Sequence, residues 1–529
     1  MNRLLDRIPP WAITAALAVV YLILAPPSPD LAAADYRSHL FSQVGFSLWD
    51  NSWYGGHHLP AYSLIAPALG SLIGTQTVAA ISMVVSTWLF ALAMAGHFPS
   101  RVARIAAVWF AVGASIGLLS SRVPFDLGLA IGLGAIVLAQ RGRFAVALAL
   151  TVLSTLASPV AGAFLALAML TWAVSQRRLG WPAALCVLAL APVALLSIAF
   201  PEGGSQPFVA SAFYPAVAAV VVIGVATPAE QRTLRLGALF YALALTGSYL
   251  LATPVGGNVD RLGALIAGPI AACALGTGAL KDRRVWLLIG MAPLLLYWQS
   301  NAPVADYAAA ASDPAVHSSY YEPLIDELQA LGVGYGATPT RIEVVPDASH
   351  WEARFLAPHV MLARGWERQL DNYRNGIFYE RPGPLTAGIY ASWLQREAVA
   401  YVALPDAPLD YSATAEAALL RSGSVRGLRE IWHSAHWRLF AVDDPAPLAE
   451  TPALLTEATS EAFEVQIPRA GSYLVRIRFT PYWALQGVPG CVSQGPEDWT
   501  LLHADGAGHA HVEINFSVAR IFSTGARCN

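Results

Sequence analysis

Long apolar runs fill the first 300 residues of this chain and constrain its fold more than any other feature. Eleven of them approach the length that a helix needs to cross the roughly 30 Å hydrocarbon core of a bilayer. They lie at residues 10–26, 77–96, 104–120, 125–140, 144–158, 160–176, 181–200, 210–227, 236–253, 262–280 and 285–299. Only 13% of all residues are charged, well below the roughly 25% typical of soluble domains. We therefore expect an α-helical polytopic membrane domain with about eleven transmembrane helices.

Charged residues are sparse before residue 300 and ordinary after it, which predicts a change of solvent there. We expect a transmembrane domain at 1–300 with a large first outer loop at 27–76, an α/β domain at 301–448 and a β-sandwich-like domain at 449–529. The net charge is −3, and no long basic tract offers a surface for nucleic acid. Membrane lipids are expected partners, and nucleic acid is not.

The positions of the basic residues predict the topology. The apolar segment 59–74 is interpreted as lying along the outer interface without crossing. With this interpretation, the basic residues that flank the predicted spans divide unevenly between the two sides. Only Arg37, Arg122 and Arg261 fall outside. Thirteen fall inside: Arg3, Arg7, Arg101, Arg104, Arg141, Arg143, Arg177, Arg178, Arg232, Arg235, Lys281, Arg283 and Arg284. This positive-inside bias predicts a multi-pass plasma-membrane protein with a cytoplasmic amino terminus and an extracytoplasmic carboxyl domain.

Several function classes lack support in the sequence. No ionisable residue lies near the middle of a predicted span, and such residues usually mark ion paths and proton relays. A pump or proton-coupled transporter is therefore disfavoured. The chain also has no GxSxG, P-loop or CxxC element, so hydrolase, nucleotide-binding and redox functions lack their usual motifs.

The first outer loop contains a carboxylate and an imidazole at helical spacing. Asp35 and His39 stand four residues apart, so on a helix they share one face. A carboxylate beside an imidazole at a membrane surface is a plausible general-base pair. The alternative is a solvated pair on an ordinary helix.

The run WDNSWYGGHHLPAY follows in the same loop and is rich in aromatic and histidine side chains. Trp53, Tyr54, His57 and His58 are candidate substrate-binding residues. An interfacial aromatic belt is the alternative for the Trp and Tyr residues. Adjacent histidines point apart on a helix or strand, and no carboxylate or cysteine cluster completes a ligand set. No metal site is predicted.

The whole arrangement resembles the GT-C glycosyltransferases, which use polyprenyl-phosphate sugars. The shared features are an acidic residue in a large first outer loop, an aromatic, glycine and proline element, an interfacial helix, about eleven spans and an extracytoplasmic carboxyl domain. The resemblance implies that Asp35 is the base that deprotonates the acceptor hydroxyl, with Asp30 in reserve. Some members also bind a divalent cation, for which the sequence shows no position.

The lipid phosphate of such a donor needs cationic partners near the outer surface of the bilayer. Arg37, Arg122 and Arg261 are the basic residues assigned to that side, and charge-assisted contacts from arginine suit phosphate. The alternative is that they are interfacial arginines, two of them paired with the neighbouring Asp126 and Asp260.

The carboxyl region shows mixed secondary-structure signals. YYEPLIDELQAL and TAGIYASWLQREA are typical of helices, and RIEVVP and AYVALP of strands. From about residue 430 the alternation in HWRLFAV, AFEVQIP, SYLVRIRF and HVEINF predicts β-structure. If this region faces an oxidising compartment, Cys491 and Cys528 could form a disulfide; two free thiols are the alternative.

One segment of this region is a candidate acceptor-binding element. HWEARFLAPHVMLARGWERQLD concentrates charge and tryptophan, and Trp351 and Trp366 could stack on a glycan. Core packing is the alternative for each.

These observations predict transfer of a sugar, with arabinose or mannose as the guess, from a polyprenyl-phosphate donor to a glycan or lipid-linked acceptor of the cell envelope. A lipid-linked sugar flippase is one alternative, and a non-catalytic membrane scaffold with a glycan-binding domain is another. Convergence of Asp35, Arg122 and Arg261 on one outward pocket would favour the enzyme.

Overall fold

The computed structural model describes residues 8–177, 180–277, 283–336 and 339–521. Its contacts divide the chain into two compact units. The first contains residues 1–43, 61–197 and 204–311, and the second contains 44–60, 198–203 and 312–529. Arg3, Arg7, Arg178, Lys281 and Cys528, which entered the predictions above, lie outside the described residues.

The first unit is helical throughout its described part. Its helices are α1 Pro10–Leu24, α2 Pro29–Val44, α3 Ala66–Ile73, α4 Thr75–Ala95, α5 Ser100–Gly117, α6 Val123–Gln140, α7 Phe144–Ala157, α8 Pro159–Gln176, α9 Gly180–Ala199, α10 Ala210–Ala226, α11 Arg232–Leu250, α12 Asp260–Thr277 and α13 Arg283–Ala311. A helix therefore lies at each of the eleven apolar runs. The two additional helices, α2 and α3, lie in the predicted first outer loop.

The chain is a multi-pass membrane protein. Six stretches of helix in its described part are long and apolar enough to cross a bilayer: Thr75–Ala95, Ser100–Ser120, Val123–Gln140, Pro159–Gln176, Gly180–Ala199 and Gly256–Gly276. A seventh is added if α1 and α2, which meet at 75°, form one bent span. Helices α7 and α10 are apolar but shorter. The total of eleven spans stays a prediction.

Helix directions within this unit agree with a non-crossing segment at 59–74. At one end of the unit, Arg104 donates a hydrogen bond of 2.8 Å to the carbonyl of Ile8. At the other end, the hydroxyls of Tyr21 and Ser121 lie 2.7 Å apart. Helices α1 and α5 therefore run in the same direction. The chain must then cross the membrane an even number of times between the start of α1 and the start of α5. Helix α3 has eight residues, about 12 Å, and is too short to cross. Which face is cytoplasmic stays a prediction.

Small residues allow the helices to approach closely. Gly128 on α6 faces α8, where an added Cβ would lie 2.7 Å from Cβ of Ala161 and 2.9 Å from Cβ of Ser158. Gly162 on α8 faces Thr155 of α7 in the same way. Such close contacts are typical of helix packing in membranes, where van der Waals contact replaces the hydrophobic driving force.

The second unit contains a mixed five-stranded sheet in the order β4-β3-β5-β7-β6. Its strands are β3 Arg341–Val344, β4 Met361–Leu362, β5 Val399–Pro405, β6 Leu428–His433 and β7 Trp437–Val442. Strand β3 pairs in parallel with β4 and with β5, whereas β7 pairs antiparallel with β5 and with β6. Five helices lie between or before these strands: α14 Glu322–Ala330, α15 Glu352–Phe355, α16 Arg368–Arg374, α17 Ala387–Arg396 and α18 Thr414–Ser422.

Two further antiparallel sheets follow and share one core. Their orders are β11-β14-β9-β8 and β10-β13-β12. The strands are β8 Leu454–Ala458, β9 Ala462–Ile467, β10 Gly471–Arg478, β11 Trp483–Gln486, β12 Gly490–Gln494, β13 Trp499–Ala504 and β14 Gly508–Ile514, before a last short helix α19 Val518–Ile521. Val465 and Val512 from one sheet pack with Val475 and Leu502 from the other. The carboxyl region is therefore β-rich, with two sheets face to face.

Part of the first outer loop belongs to this second unit. The short strands β1 Trp49–Asp50 and β2 His57–His58 pair with each other, and Leu362 donates its backbone N–H to Ser52. The contacts also place α13 in the first unit as far as Ala311. The three-domain division with boundaries at 300 and 448 stays a prediction.

Cys491 is disulfide-bonded, and Cys528, its expected partner, lies outside the described residues. Cys186 is a free thiol in the helical unit, and the thiol of Cys273 in the same unit lies 3.9 Å from the sulfur of Met94.

Candidate functional site

The helical unit contains a polar pocket of about 380 Å³ between α2, α6, α12 and α13. Its charged lining consists of four carboxylates and two guanidiniums: Asp30, Asp126, Asp260, Asp306, Arg122 and Arg261. Gln206, Asn258 and Gln299 add neutral polar groups, and Phe125 and Trp298 add aromatic surface. Convergent polar groups in a concave site are the usual sign of ligand binding.

Asp30 joins the two arginines. Its Oδ2 accepts a hydrogen bond of 3.0 Å from Nε of Arg122 and lies 3.8 Å from Nη2 of Arg261. Nη2 of Arg122 also lies 3.9 Å from Oδ2 of Asp306. Ser120 donates to the same oxygen of Asp306 at 2.6 Å. Two guanidiniums are thus held together, although each repels the other.

Local structure explains where Arg122 lies. A 3₁₀ turn at Leu118–Ser120 ends α5, and Ser121 follows in the left-handed conformation with φ of 50°. The hydroxyl of Ser121 bonds back to the carbonyl of Leu118, and Ser28 donates to the carbonyl of Ser120. Arg122 is then the residue before α6. The turn fixes its backbone and directs the guanidinium toward α2.

The first turns of two membrane helices provide the other groups. Asp126 lies in the first turn of α6. Asp260 begins α12, where the indole N–H of Trp298 donates to both of its carboxylate oxygens at 3.0 and 3.1 Å. Arg261 follows directly and lies 5.8 Å above the ring of Phe125. Carboxylates at helix N-termini are favoured by the helix dipole.

Asp126 is buried, with 1% of its surface exposed, and lines the pocket. Its Oδ2 has no hydrogen-bond partner within the described part of the chain. A buried carboxylate oxygen without a partner is costly, and each such group requires an explanation. A ligand hydroxyl that donates to this oxygen would provide one.

The predicted base Asp35 lies on α2 with His39, at the helical spacing that the sequence indicated. Oδ1 of Asp35 lies 3.5 Å from the hydroxyl of Thr75, and Asp35 is not among the residues that line the polar pocket. The reserve candidate Asp30 does line it. Asp30 and Asp35 are five positions apart on α2, so their side chains point in different directions around the helix. The base role of Asp35 stays a prediction.

The three arginines that were predicted to lie on the outer side do not all lie together. Arg122 and Arg261 meet at Asp30, as described above, whereas Arg37 is buried on α2 with its guanidinium 4.0 Å above the ring of Tyr62. Of the three residues whose convergence would favour the enzyme, Arg122 and Arg261 line one pocket, whereas Asp35 does not and Asp30 does.

The predicted aromatic and histidine residues of the first loop lie inside the second unit. Trp53 and Tyr54 have at most 1% of their surface exposed, and the ring of Trp53 stacks on His57 at 5.4 Å. The indole of Trp53 donates to the carbonyl of Ala353. These positions are interior rather than facing lipid, so the aromatic belt does not describe them. A substrate-binding role stays a prediction.

His58 belongs to a buried charged network. Its Nδ1 lies 2.9 Å from Oε1 of Glu202, and its Nε2 lies 3.0 Å from the hydroxyl of Thr480. The second oxygen of Glu202 lies 3.3 Å from Arg374. Burial alone would raise the pKa of Glu202, but the Arg374 guanidinium and the bond from His58 lower it to about 2. This network anchors β2 within the unit.

Trp351 and Trp366 flank a second charged cluster in the same unit. Trp351 is buried and stacks on Phe355 at 5.3 Å. The ring of Trp366 lies 5.9 Å from that of His350, which lies beside Glu352 and Asp410. Burial opposes charge on His350, yet these carboxylates raise its pKa to about 9. The glycan-stacking role of both tryptophans stays a prediction.

Sequence reasoning missed Asp306. The last predicted span ended at residue 299, but α13 continues without a break to Ala311. This continuation places Asp306 two turns beyond the predicted end, beside Arg122. The signal was the helix-forming run of alanines after Pro303.

No group of three or more His, Cys, Asp or Glu side chains within residues 8–177, 180–277, 283–336 and 339–521 is arranged to hold a metal ion. The carboxylates of the polar pocket instead face arginine, serine and tryptophan donors.

No protein-family model matches this chain, and no curated protein matches it. Solved structures of GT-C type membrane glycosyltransferases are among its structural neighbours. The archaeal oligosaccharyltransferase AglB from Archaeoglobus fulgidus, in complex with an inhibitory peptide and a dolichol-phosphate, is 13% identical with a TM-score of 0.36, over 75% of this chain and 69% of that chain.

The Archaeoglobus fulgidus oligosaccharyltransferase in complex with zinc and sulfate is 14% identical with a TM-score of 0.35, over 75% of this chain and 68% of that chain. Similarity at this level decides neither the fold nor the activity of this chain.

Proposed function

We propose that this protein is an integral membrane glycosyltransferase that moves a sugar from a lipid-phosphate carrier to an extracytoplasmic acceptor. The observation that supports it is the meeting of Arg122 and Arg261 at Asp30 in a polar pocket of the helical unit. The acceptor is a glycan, a lipid-linked glycan or a peptide. The pocket lies on the extracytoplasmic side in this proposal, with the amino terminus in the cytoplasm.

The two arginines bind the donor phosphate. A membrane-anchored phosphate reaches this pocket from the bilayer, and paired guanidiniums supply charge-assisted hydrogen bonds to its oxygens. When the bond between the anomeric carbon and the phosphate oxygen breaks, negative charge develops on that oxygen. Fixed cationic groups lower the barrier by stabilising this charge. Asp30 keeps the two cations in place before the donor arrives.

Asp126 is the carboxylate best placed to act as the base. Asp126 lines the same pocket as both arginines, and its Oδ2 has no protein partner among the described residues. An acceptor hydroxyl that donates to this oxygen would transfer its proton as it attacks the anomeric carbon. Asp35, the base that the resemblance implies, is the alternative on the same outer side.

The sugar and the carrier are further parts of the proposal. A polyprenyl phosphate suits a carrier that must stay in the membrane, and arabinose or mannose is the first donor to test. Asp260 and Asp306 offer carboxylate oxygens to sugar hydroxyls, and Trp298 offers an aromatic face. Cell-envelope glycans are the proposed acceptors.

The experiment tests transfer in membranes from cells that express the protein. Radiolabelled polyprenyl-phosphate sugars are supplied one at a time, and the label is followed into envelope material. Arg122→Gln should abolish the transfer that the wild type supports, whereas Arg101→Gln, an exposed arginine outside the pocket, should not. Transfer that survives Arg122→Gln would contradict the proposal.

The same preparation separates the alternatives. A flippase would move the labelled lipid between leaflets of reconstituted vesicles without transferring sugar, and this result would replace the enzyme with a carrier. A scaffold would do neither, and the pocket variants would then behave as the wild type does.

A further inference from the structure

The helical unit contains a second cavity, of about 410 Å³. It lies between α8, α11 and α12, with contributions from α4, α6 and α10. Its volume is in the range of ligand pockets, which extend from about 300 to 1,000 Å³. It shares no lining residue with the polar pocket.

The walls of this cavity are apolar. Leucine, isoleucine, alanine and aromatic side chains cover most of the surface, among them Leu167, Trp172, Ala238 and Ile266. An apolar cavity of this size stays dry and binds apolar ligands. In a membrane protein the apolar group at hand is a lipid chain.

Polar groups gather at one end of the cavity. His97 follows α4, Gln140 ends α6, Gln176 ends α8 and Gln231 precedes α11. These positions are all at the end of the unit opposite Arg122, because α6 runs 18 residues from Val123 to Gln140, about 27 Å. The cavity therefore has a polar mouth and an apolar interior.

Basic residues adjoin the mouth along the chain. Each of its three glutamines is followed directly by an arginine that is exposed: Arg141, Arg177 and Arg232. No carboxylate lines the cavity among its described residues. Basic side chains at the end of membrane helices attract anionic headgroups.

The deep end stops short of the polar pocket. Phe164, which lines the cavity, meets Phe125, which lines the pocket, with ring centroids 6.0 Å apart. On α12, Leu262 and Gly263 face the cavity, whereas Arg261 faces the pocket. A donor phosphate on Arg122 and Arg261 would lie about 27 Å from the mouth, so it is not the group that would occupy the mouth.

We propose that this cavity binds one acyl chain of an anionic membrane phospholipid, whose headgroup phosphate lies among Arg141, Arg177 and Arg232. The ligand is separate from the sugar donor, and the inference does not depend on the proposed function. The lipid fills the space between α8 and α11 and ties their basic ends together.

The test uses purified protein in detergent with phosphatidylglycerol that has a diazirine on one acyl chain. After irradiation, mass spectrometry locates the labelled residues. We expect label within α8 and α11, on residues that line the cavity. Phosphatidylcholine with the same chain should label these residues much less, because its headgroup has no net charge.

Two kinds of variant make the test specific. Gly237→Phe places a ring in the cavity, which Gly237 lines. Gly247→Phe is the matched control on the same helix, since nothing lies within 4 Å of a Cβ added there. We expect Gly237→Phe to lose the cavity label and Gly247→Phe to keep it.

The headgroup is tested by Arg177→Gln and Arg232→Gln, which leave the cavity walls unchanged. Each should weaken labelling by phosphatidylglycerol about fivefold. Equal labelling by both lipids, label confined to the outer surface of the unit, or label that survives Gly237→Phe would overturn the proposal. If Gly237→Phe does not fold, the arginine variants and the lipid comparison still decide it.

Discussion

At the scale of single residues, the four pocket carboxylates differ in what they contact. Asp30, Asp260 and Asp306 accept hydrogen bonds from arginine, tryptophan and serine. Asp126 has an oxygen without a partner in the described part of the chain. Three of these carboxylates are therefore bonded within the protein, whereas one oxygen of Asp126 is not.

This difference predicts which carboxylate is essential. Asp126→Asn should reduce sugar transfer about 10²- to 10⁴-fold, the usual effect of a general base, because an amide cannot take the proton. Asp35→Asn should reduce it far less. Transfer rates at equal expression measure both, and Glu230→Gln, an exposed acid outside the pocket, is the control. The opposite order would return the base role to Asp35.

Residue spacing predicted some of this site and missed the rest. Arg122 and Arg261 were singled out because few basic residues were assigned to the predicted outer side. Asp30 was ranked below Asp35, since a sequence shows helical spacing but not which face of α2 meets α6 and α12. Asp306 was missed because the apolar run that predicted the last span ends before α13 does.

A second residue-scale prediction concerns buried carboxylates in the second unit. Glu416 is fully buried and accepts a 2.6 Å bond from Tyr390, with Arg364 at 3.5 Å. Burial raises its pKa from 4.5 to about 7, although Arg364 opposes this. Burial, together with Glu416, also raises the pKa of the neighbouring Glu343.

A folded-state pKa that is raised contributes stability below the unfolded-state pKa and loses it as pH rises through the folded value. The melting temperature of the whole protein in detergent should therefore fall between pH 5 and 8. Glu416→Gln should make this decrease smaller, because it removes one of the titrating groups. A variant whose decrease equals that of the wild type would show that Glu416 does not titrate in this range.

At the scale of elements, close helix packing depends on a few glycines. Gly128→Leu would force a side chain against Ala161, Ser158 and the carbonyl of Ser154. Overpacking of this kind typically costs about 1–3 kcal/mol, so the melting temperature should fall. Gly247→Leu, on an open surface of α11, is the matched control and should have little effect. Equal melting temperatures would contradict this packing of α6 on α8.

Elements were more predictable than their arrangement. Each apolar run became a helix because, in lipid, the backbone must satisfy its own hydrogen bonds. Strands β7, β9, β10 and β14 followed from alternation of apolar residues. The order β4-β3-β5-β7-β6 could not be predicted, because most of its neighbouring strands are distant in sequence.

At the scale of the whole molecule, the positive-inside bias predicts the orientation. Glu230→Cys, between α10 and α11, should be protected from a membrane-impermeant thiol reagent in intact cells. Ser424→Cys, exposed after α18, should react. Permeabilised cells, in which both should react, provide the control. Reaction at residue 230 and protection at 424 in intact cells would invert the topology.

The central claim is that Arg122 and Arg261 form a phosphate site for sugar transfer. The most direct measurement is transfer by purified protein in proteoliposomes that contain the polyprenyl-phosphate sugar found in the membrane assay, with an acceptor glycan. The wild type should transfer sugar, and Arg122→Gln with Arg261→Gln should lose at least about 100-fold in rate, while Arg101→Gln with Arg235→Gln should not. Equal rates for the wild type and the pocket variant would contradict the account.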